Sequence, residues 1–382
     1  MTMISRTVVN RRNGPVFDFI LALATIIVAG VGLVMVYTAT RGSLLALGDD
    51  PRLYLKKQAL FVVLGIVAMV VFALFDYRRL EPIAIPLYLL SVLSLLGVMA
   101  VGSHAQGAQR WFSLGPIQIQ PSEFAVIGLI VAVGAYCDRR TEEGLAWKDV
   151  FKLLILSGIP IGLVLIQPDL GTAIIMMIVL LVMLAVAGLP IRILVLLVIG
   201  VALVALMAAE TGILHGYQIA RLTTFLNPNS TSTNPQVVSA IYNTNEAKNA
   251  IGSGGFFGTG LLHGAQTNLG YVPEQSTDFI FTAVGEQLGF VGSVGLLALL
   301  GLVAWRVLAA AGRSRDIFGR LICTGLFTFV AFSVFQNAGM TMGIMPITGI
   351  PLPFVSYGGT AVICFFLAVG LALSVGAHRR MR

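Results

Sequence analysis

The most constraining feature of this chain is a series of long, nearly uninterrupted apolar runs: Phe17–Tyr37, Gln58–Phe75, Ile83–Val101, Phe124–Tyr136 with its flanks, Val150–Ile166, Leu170–Ala187, Ile191–Ala208, Phe279–Leu302, Leu321–Gln336 and Ala361–Gly376. A helix of roughly 20 residues crosses ~30 Å of hydrocarbon, whereas a transmembrane strand needs ~10 residues of alternating polarity. These runs are continuous, so they predict helices. Charged residues make up only 11% of the chain, against about a quarter in soluble domains, while 57% of residues are hydrophobic and the mean hydropathy is +0.92. A surface so poor in charge requires lipid as its solvent. The expectation is an all-α polytopic membrane protein with about ten transmembrane helices, organised as a single transmembrane domain over residues 1–382. The first run is too long for a signal-peptide h-region and ends without a small-x-small site at Val36-Tyr37-Thr38-Ala39, so it is expected to stay as the first span.

Charge sets the orientation. The net charge is +7, which in a soluble protein would suggest nucleic acid. Here the distribution matters more than the sum. With the N-terminus in the cytoplasm, most of the 24 Lys and Arg residues lie on inner segments, among them Arg11, Arg12, Arg78, Arg79, Arg139, Arg140, Arg313, Arg315 and Arg379. The outer segments carry Arg41, Arg52, Lys56, Lys57, Arg110, Arg221 and Lys248. That bias predicts N-in, C-in topology, and the inner arginines read as topology signals and not as a nucleic-acid patch. Cys137, Cys323 and Cys364 form no CxxC pair, and the four histidines show no zinc spacing, so neither a redox motif nor a structural metal is expected.

Three loops placed outside by this topology are unusual. The longest, a long extracytoplasmic loop at about 210–277, has a polar stretch over Asn227–Asn249, readable as functional or disordered, and then a glycine-rich run from Gly252 to Gly264. The other two are Gly102–Ser122 and Gly339–Gly359, the latter with Pro346, Pro351 and Pro353. Irregular backbone near a membrane is tolerated where it lines a cavity, so together these loops predict an outward-facing cavity.

Ionisable side chains at span ends are costly and mark candidates for function. Asp278 stands where a polar loop enters an apolar helix; its ordinary role would be a helix cap, but Ser276 and Thr277 can cap instead. Glu123 follows Pro121 at the start of the fourth span and reads equally as a first-turn carboxylate or a site residue. Asp169 lies at a tight break between spans, where turn and cap suffice to explain it. Glu286 sits on the face of its helix that carries Asp278, and must be protonated, paired or at a cavity wall. Arg110 and Arg221 are candidates to hold a phosphate-bearing ligand, or else snorkel to lipid headgroups. Trp111 could stack on a sugar or serve as an interfacial anchor. The glycine run lacks a Gly-Lys-Ser/Thr ending, so it is no Walker P-loop and reads as a flexible loop. An outward cavity with carboxylates and arginines suits an enzyme acting on a lipid-linked anionic substrate, and it also suits a transporter.

At these positions the chain resembles the SEDS family of cell-wall glycosyltransferases, the RodA/FtsW group. The resemblance runs from Gly32-Leu33-Val34-Met35-Val36-Tyr37 to the tail. It is carried by Arg110-Trp111 leading to Leu114-Gly115-Pro116, Gln120-Pro121-Ser122-Glu123, Gln167-Pro168-Asp169-Leu170-Gly171-Thr172, Ile251-Gly252-Ser253-Gly254-Gly255, Pro273-Glu274 to Phe281, and Gly349-Ile350-Pro351-Leu352-Pro353-Phe354-Val355-Ser356-Tyr357-Gly358-Gly359. Ile251–Gly255 followed by Gly264-Ala265-Gln266 looks more like RodA, the elongation branch, than FtsW. The resemblance implies a SEDS-type fold in the bacterial cytoplasmic membrane and polymerisation of lipid II into glycan strands on its outer side. It implies a class B penicillin-binding protein as partner, and an essential Asp at the position of Asp278. Three departures stand out: Ser276 where the family usually has His, Val126 where it often has Lys, and Gln287 in place of a second Glu.

The chemistry expected on this basis is an inverting transfer. Asp278 acts as general base on the GlcNAc hydroxyl of incoming lipid II, and undecaprenyl pyrophosphate leaves from the growing glycan. Arg110, Trp111, Glu123, Arg221 and Glu286 are the expected substrate-binding residues. A divalent cation such as Mg²⁺ is the expected helper, since outer cations are few; no organic cofactor and no nucleic acid are expected, and membrane lipids surround the chain. The alternative is a flippase or transporter of a lipid-linked precursor, against which no inverted repeat is visible. A non-enzymatic scaffold is the third reading.

Overall fold

A computed structural model describes residues 17–105, 108–114, 117–140, 145–210, 216–227 and 232–378. Gly115, Pro116, His215 and the terminal arginines Arg6, Arg11, Arg12, Arg379, Arg380 and Arg382 lie outside the described residues. The chain forms α1 (Phe19–Leu47), α2 (Leu53–Leu74), a 3₁₀ turn at Tyr77–Leu80, α3 (Ala84–Val101), β1 (Ser103–Ala105), β2 (Ala108–Leu114), β3 (Ile117–Ile119), α4 (Pro121–Asp138), α5 (Trp147–Ile166), α6 (Leu170–Val186) and α7 (Ile191–Glu210). It continues through α8 (Gly216–Leu226), α9 (Pro235–Ser253), α10 (Ala265–Leu269), α11 (Ile280–Arg313), α12 (Ile317–Thr341) and α13 (Gly359–Ala377).

Eight of these helices are long and apolar enough to cross a membrane, and the shorter apolar helices α6 and Ile191–Leu203 of α7 complete the expected set. The chain is a mostly helical, multi-pass membrane protein. Burial separates centre from rim: the apolar windows of α4 and α13 are 83% buried, whereas that of α3 is 28% buried and leaves its other faces to lipid. Close backbone approach holds the centre. A Cβ at Gly370 of α13 would stand 2.6 Å from the Met69 carbonyl of α2, so only glycine lets these helices meet there. Several buried hydroxyls return to their own helices, as Thr25 Oγ1 donates to Leu21 O at 2.8 Å and Ser333 Oγ to Phe329 O at 2.8 Å, which satisfies those donors without water.

Several elements differ from the sequence expectation. The first span runs on to Leu47 and the eighth to Arg313. The loop after α3 folds into a three-stranded antiparallel sheet in the order β1-β2-β3. The polar stretch Asn227–Asn249 is in large part helix: Pro235 sits in the first turn of α9, and the Asn234 side chain accepts from Gln236 N. Its polarity conceals a helix that packs on α8 and α11.

The glycine-rich run is not a slack loop. Within α11, Gly289 adopts φ 66° and ψ −164°, which breaks the helix. Residues 255–260 lie across the break and take up the freed backbone groups. Thr259 N donates to Glu286 O (2.9 Å), Gly260 N to Gln287 O (3.1 Å), Phe290 N to Gly255 O (3.0 Å) and Val291 N to Phe256 O (3.1 Å). Gly258, at φ 85°, faces the backbone of Gln287 with no room for a Cβ. These glycines permit backbone-to-backbone contact that keeps a broken helix satisfied.

Candidate active site

Asp278 lies just ahead of α11, half-buried in the wall of a cavity of about 350 Å³. Arg221 from α8, Gln236, Ser239 and Asn243 from α9, and Glu274 share that wall. Asp278 is not a helix cap. The N-cap position of α11 is Phe279, and among the described residues no hydrogen bond reaches the Asp278 carboxylate. Its backbone is held instead. Asp278 N donates to Glu274 O (3.1 Å), and Asn337 Nδ2 of α12 donates both to Asp278 O (2.7 Å) and to Ile350 O (2.8 Å). Asn337 is fully buried, so this clamp joins two loops through one protected amide. A second tie runs from Tyr357 N to Ser276 O at 2.8 Å.

Gly349 closes the approach to the carboxylate. It adopts φ 76°, and a Cβ there would stand 3.2 Å from Asp278 Oδ2 and 3.9 Å from Arg221 Nη1. The glycine thus sits against both the acid and the guanidinium. Burial pushes the Asp278 carboxyl from its ordinary 3.8 up to about 6; Arg221 pulls it back, Glu274 and Asp169 push it further up, and Arg110 opposes them. A carboxylate tuned near neutrality in a polar cavity has the properties of a general base.

The remaining site candidates are distributed around this cavity and not all within it. Arg221 shares the wall with Asp278. Arg110, on β2, directs Nε to Gln167 O (2.7 Å) and Nη2 to Pro168 O, bracing the break before α6. Trp111 is half-buried on the same strand, where its carbonyl accepts from Ser103 Oγ at 3.1 Å. Asp169 caps α6, accepting from Thr172 N (3.2 Å), Thr172 Oγ1 (2.9 Å), Gln120 Nε2 (2.9 Å) and Ser122 Oγ (3.1 Å). Glu123 is buried in the first turn of α4, with no hydrogen bond or ion pair to its carboxylate among the described residues. Glu286 is fully buried away from the cavity. Its Oε1 accepts from Gln266 N (2.8 Å), and its Oε2 from Thr267 N (2.9 Å) and Thr267 Oγ1 (2.6 Å). Among the three situations open to Glu286, the structure selects pairing, with the N-terminus of α10 as partner.

The match to known proteins is extensive. Residues 18–381 fit the cell cycle protein family FtsW/RodA/SpoVE. The chain belongs to this family. It is 40% identical over 325 residues to the peptidoglycan glycosyltransferase MrdB of Escherichia coli K12, covering 84% of this chain and 85% of that one. It is 32% identical to the probable peptidoglycan glycosyltransferase FtsW of Trichlorobacter lovleyi, covering 96% and 94%. Among solved structures, a chain of a peptidoglycan synthase complex described as coordinating polymerization and crosslinking matches with a TM-score of 0.79 at 30% identity, covering 96% of this chain and 99% of that one. The rod shape determining protein RodA of Thermus thermophilus matches at 0.70 and 30% identity, covering 96% and 98%.

The family departures acquire a physical setting. Ser276 contributes its backbone carbonyl to Tyr357. Val126, where Lys was expected, is fully buried, so no cation lies one turn from Glu123. Gln287 uses its side-chain oxygen to accept from Leu262 N at 3.0 Å, holding the chain that crosses the α11 break. Sequence reasoning missed three site residues. Glu274 lay in a quoted motif and carried the signal of an acid beside Asp278. Asn337, one residue past the Leu321–Gln336 run, is a polar residue at a span end. Asn243 lines the cavity with a buried Oδ1 that has no hydrogen-bond partner among the described residues, and its polar stretch offered no way to choose it.

Proposed function

We propose that this chain is a peptidoglycan glycosyltransferase that polymerises lipid II into glycan strands during cell elongation, at a site on the outer face of the bacterial cytoplasmic membrane. The observation that carries the reading is Asp278 in the cavity wall beside Arg221, backbone-clamped and with its carboxyl free of capping bonds. Family membership and the 40% identity to a peptidoglycan glycosyltransferase support the reaction class.

In the proposed reaction, Asp278 takes the proton of the acceptor GlcNAc 4-hydroxyl as that oxygen attacks the anomeric carbon of the growing chain's terminal MurNAc. The new C–O bond forms as the bond to undecaprenyl pyrophosphate breaks, and its electron pair leaves with the pyrophosphate. Arg221 faces the departing negative charge. The unpartnered Asn243 Oδ1 is an acceptor for a sugar hydroxyl or amide N–H. Arg110 and Asp169 act on the site through the field they exert at Asp278. Glu286 and Trp111 serve the architecture.

Among the described residues no group of three or more His, Cys, Asp and Glu side chains could cage a metal. Glu274, in the cavity wall, would be the carboxylate for a Mg²⁺ shared with substrate phosphates, since that ion binds through one or two carboxylates and completes its shell elsewhere; Asp278 is then left unligated as the base. Such an ion would neutralise the pyrophosphate charge. A class B penicillin-binding protein is the proposed partner, in keeping with the synthase complex that this fold matches.

The test is polymerisation of purified lipid II by the full chain with its transpeptidase partner and Mg²⁺. Wild type should yield glycan and Asp278→Asn none. Full activity in the variant would remove Asp278 as base, and lipid II crossing liposomes with no polymer formed would instead favour the transporter.

A further inference from the structure

A second cavity, larger than the one beside Asp278, lies apart from it. It lies at the far end of α11 from Asp278. Its volume is about 470 Å³, and its walls come from the first turn of α1, the last turns of α11 and the last turns of α13. The lining is apolar except for Asp18, Arg306 and Arg313.

The charges at this cavity do not balance. Arg306 forms a forked pair with Asp18, Nε to Oδ2 at 2.9 Å and Nη2 to Oδ2 at 2.5 Å, and Asp18 Oδ1 also accepts from Leu21 N at 3.1 Å. The single carboxylate is therefore committed to one guanidinium and to the α1 N-terminus. Arg313 reaches the same Oδ2 only at 3.8 Å, and its side chain is 45% exposed. Two arginines against one aspartate leave one guanidinium's charge unmatched in a cavity of ligand size. Beside it, Phe19, Ile20 and Leu23 present exposed apolar side chains along the outside of α1. A basic pocket between helix ends, bordered by a lipid-facing stripe, is complementary to a phosphate headgroup with its acyl chains running along the helix.

We propose that this cavity is a binding site for an anionic phospholipid, with Arg313 on the phosphate and the α1 face of Phe19, Ile20 and Leu23 against the acyl chains. By the charge bias of the loops this is the cytoplasmic end, so the site is separate from the glycan chemistry and independent of how that chemistry is assigned.

Native mass spectrometry of the full chain in detergent, with phosphatidylglycerol, phosphatidylcholine or inorganic phosphate added, tests the assignment. The expected result is retention of phosphatidylglycerol over phosphatidylcholine, reduced about fivefold in Arg313→Gln, the factor that one surface arginine contributes at an anionic lipid. Arg313 is exposed, so the lipid-free melting temperature of that variant should match wild type. Asp18→Asn removes the competing carboxylate and should increase retention of phosphatidylglycerol. Equal retention of the two lipids, or retention unchanged in Arg313→Gln, would overturn the proposal. Displacement of phosphatidylglycerol by millimolar inorganic phosphate would assign the pocket to the free anion instead.

Discussion

Asp278 and Glu286 stand eight residues apart, one just ahead of α11 and the other inside it, and they do opposite things. Asp278 has its backbone fixed by Glu274 and Asn337 while its carboxylate faces a cavity beside Arg221. Glu286 has both oxygens engaged by the N-terminus of α10 and by Thr267 Oγ1, and it does not line the cavity. The same side-chain chemistry, eight residues apart, is left open to a cavity in one surrounding and made a structural tie in the other. A buried carboxylate whose two oxygens are both engaged by the protein contributes to the fold; one whose main chain is held and whose oxygens are left open is available for proton transfer.

The most severe test of this contrast is the pair Asp278→Asn and Glu286→Gln. Asp278→Asn should cut polymerisation by at least about 100-fold, the usual worth of a general base. It should not lower the melting temperature. The Asp278 carboxyl is raised from 3.8 to about 6, so the folded chain binds that proton more tightly than the unfolded one. The cost of charging it is absent below pH 4 and fully present above pH 6, and the amide relieves it there. Glu286→Gln should lose about 1–3 kcal/mol for a buried donor left unsatisfied, and activity should fall in step with stability. Thermal unfolding in detergent, read beside the polymerisation assay, separates the two outcomes.

Gly349→Ala sharpens the comparison at the cavity. The positive φ costs an alanine about 1–3 kcal/mol, and its methyl would crowd Asp278 Oδ2 and Arg221 together. Turnover should fall by about tenfold, the effect of ~1.4 kcal/mol on the barrier, with expression retained. A smaller effect divides the arginines. Arg221→Gln should raise the lipid II concentration needed for half-maximal rate and leave melting unchanged. Arg110→Gln should do the reverse, since its donors hold the carbonyls of Gln167 and Pro168. Steady-state kinetics with parallel melting curves distinguishes them.

The membrane fold was legible in the sequence because hydropathy acts along the chain, residue after residue. Ten apolar runs become ten apolar helices, most with ends shifted by a few residues, while α1 and α11 run on well past the expected ends to Leu47 and Arg313. What was hidden depends on contacts between distant segments. The α10 turn that Glu286 caps lies 19 and 20 residues upstream, and nothing in the local pattern joins them. The glycine run read as slack because its partner, the break at Gly289, is invisible without tertiary structure. Helix α9 was obscured by its own polarity, since hydropathy reports lipid-facing helices and α9 packs on protein. At the site, Asp278 and Arg221 could be picked out as costly charges at a membrane boundary. Arg110 carried the same signal, yet the strand it occupies directs its guanidinium into the break before α6, a direction that residue type alone does not encode.

The central claim is that Asp278 works as a base, and the pH dependence of single-turnover glycan transfer in the partnered complex tests it most directly. A base must be deprotonated to act, so the rate should climb about tenfold per unit at low pH and level off above the Asp278 value of about 6. A rate independent of pH from 5 to 8, in a complex that stays folded throughout, would contradict the assignment.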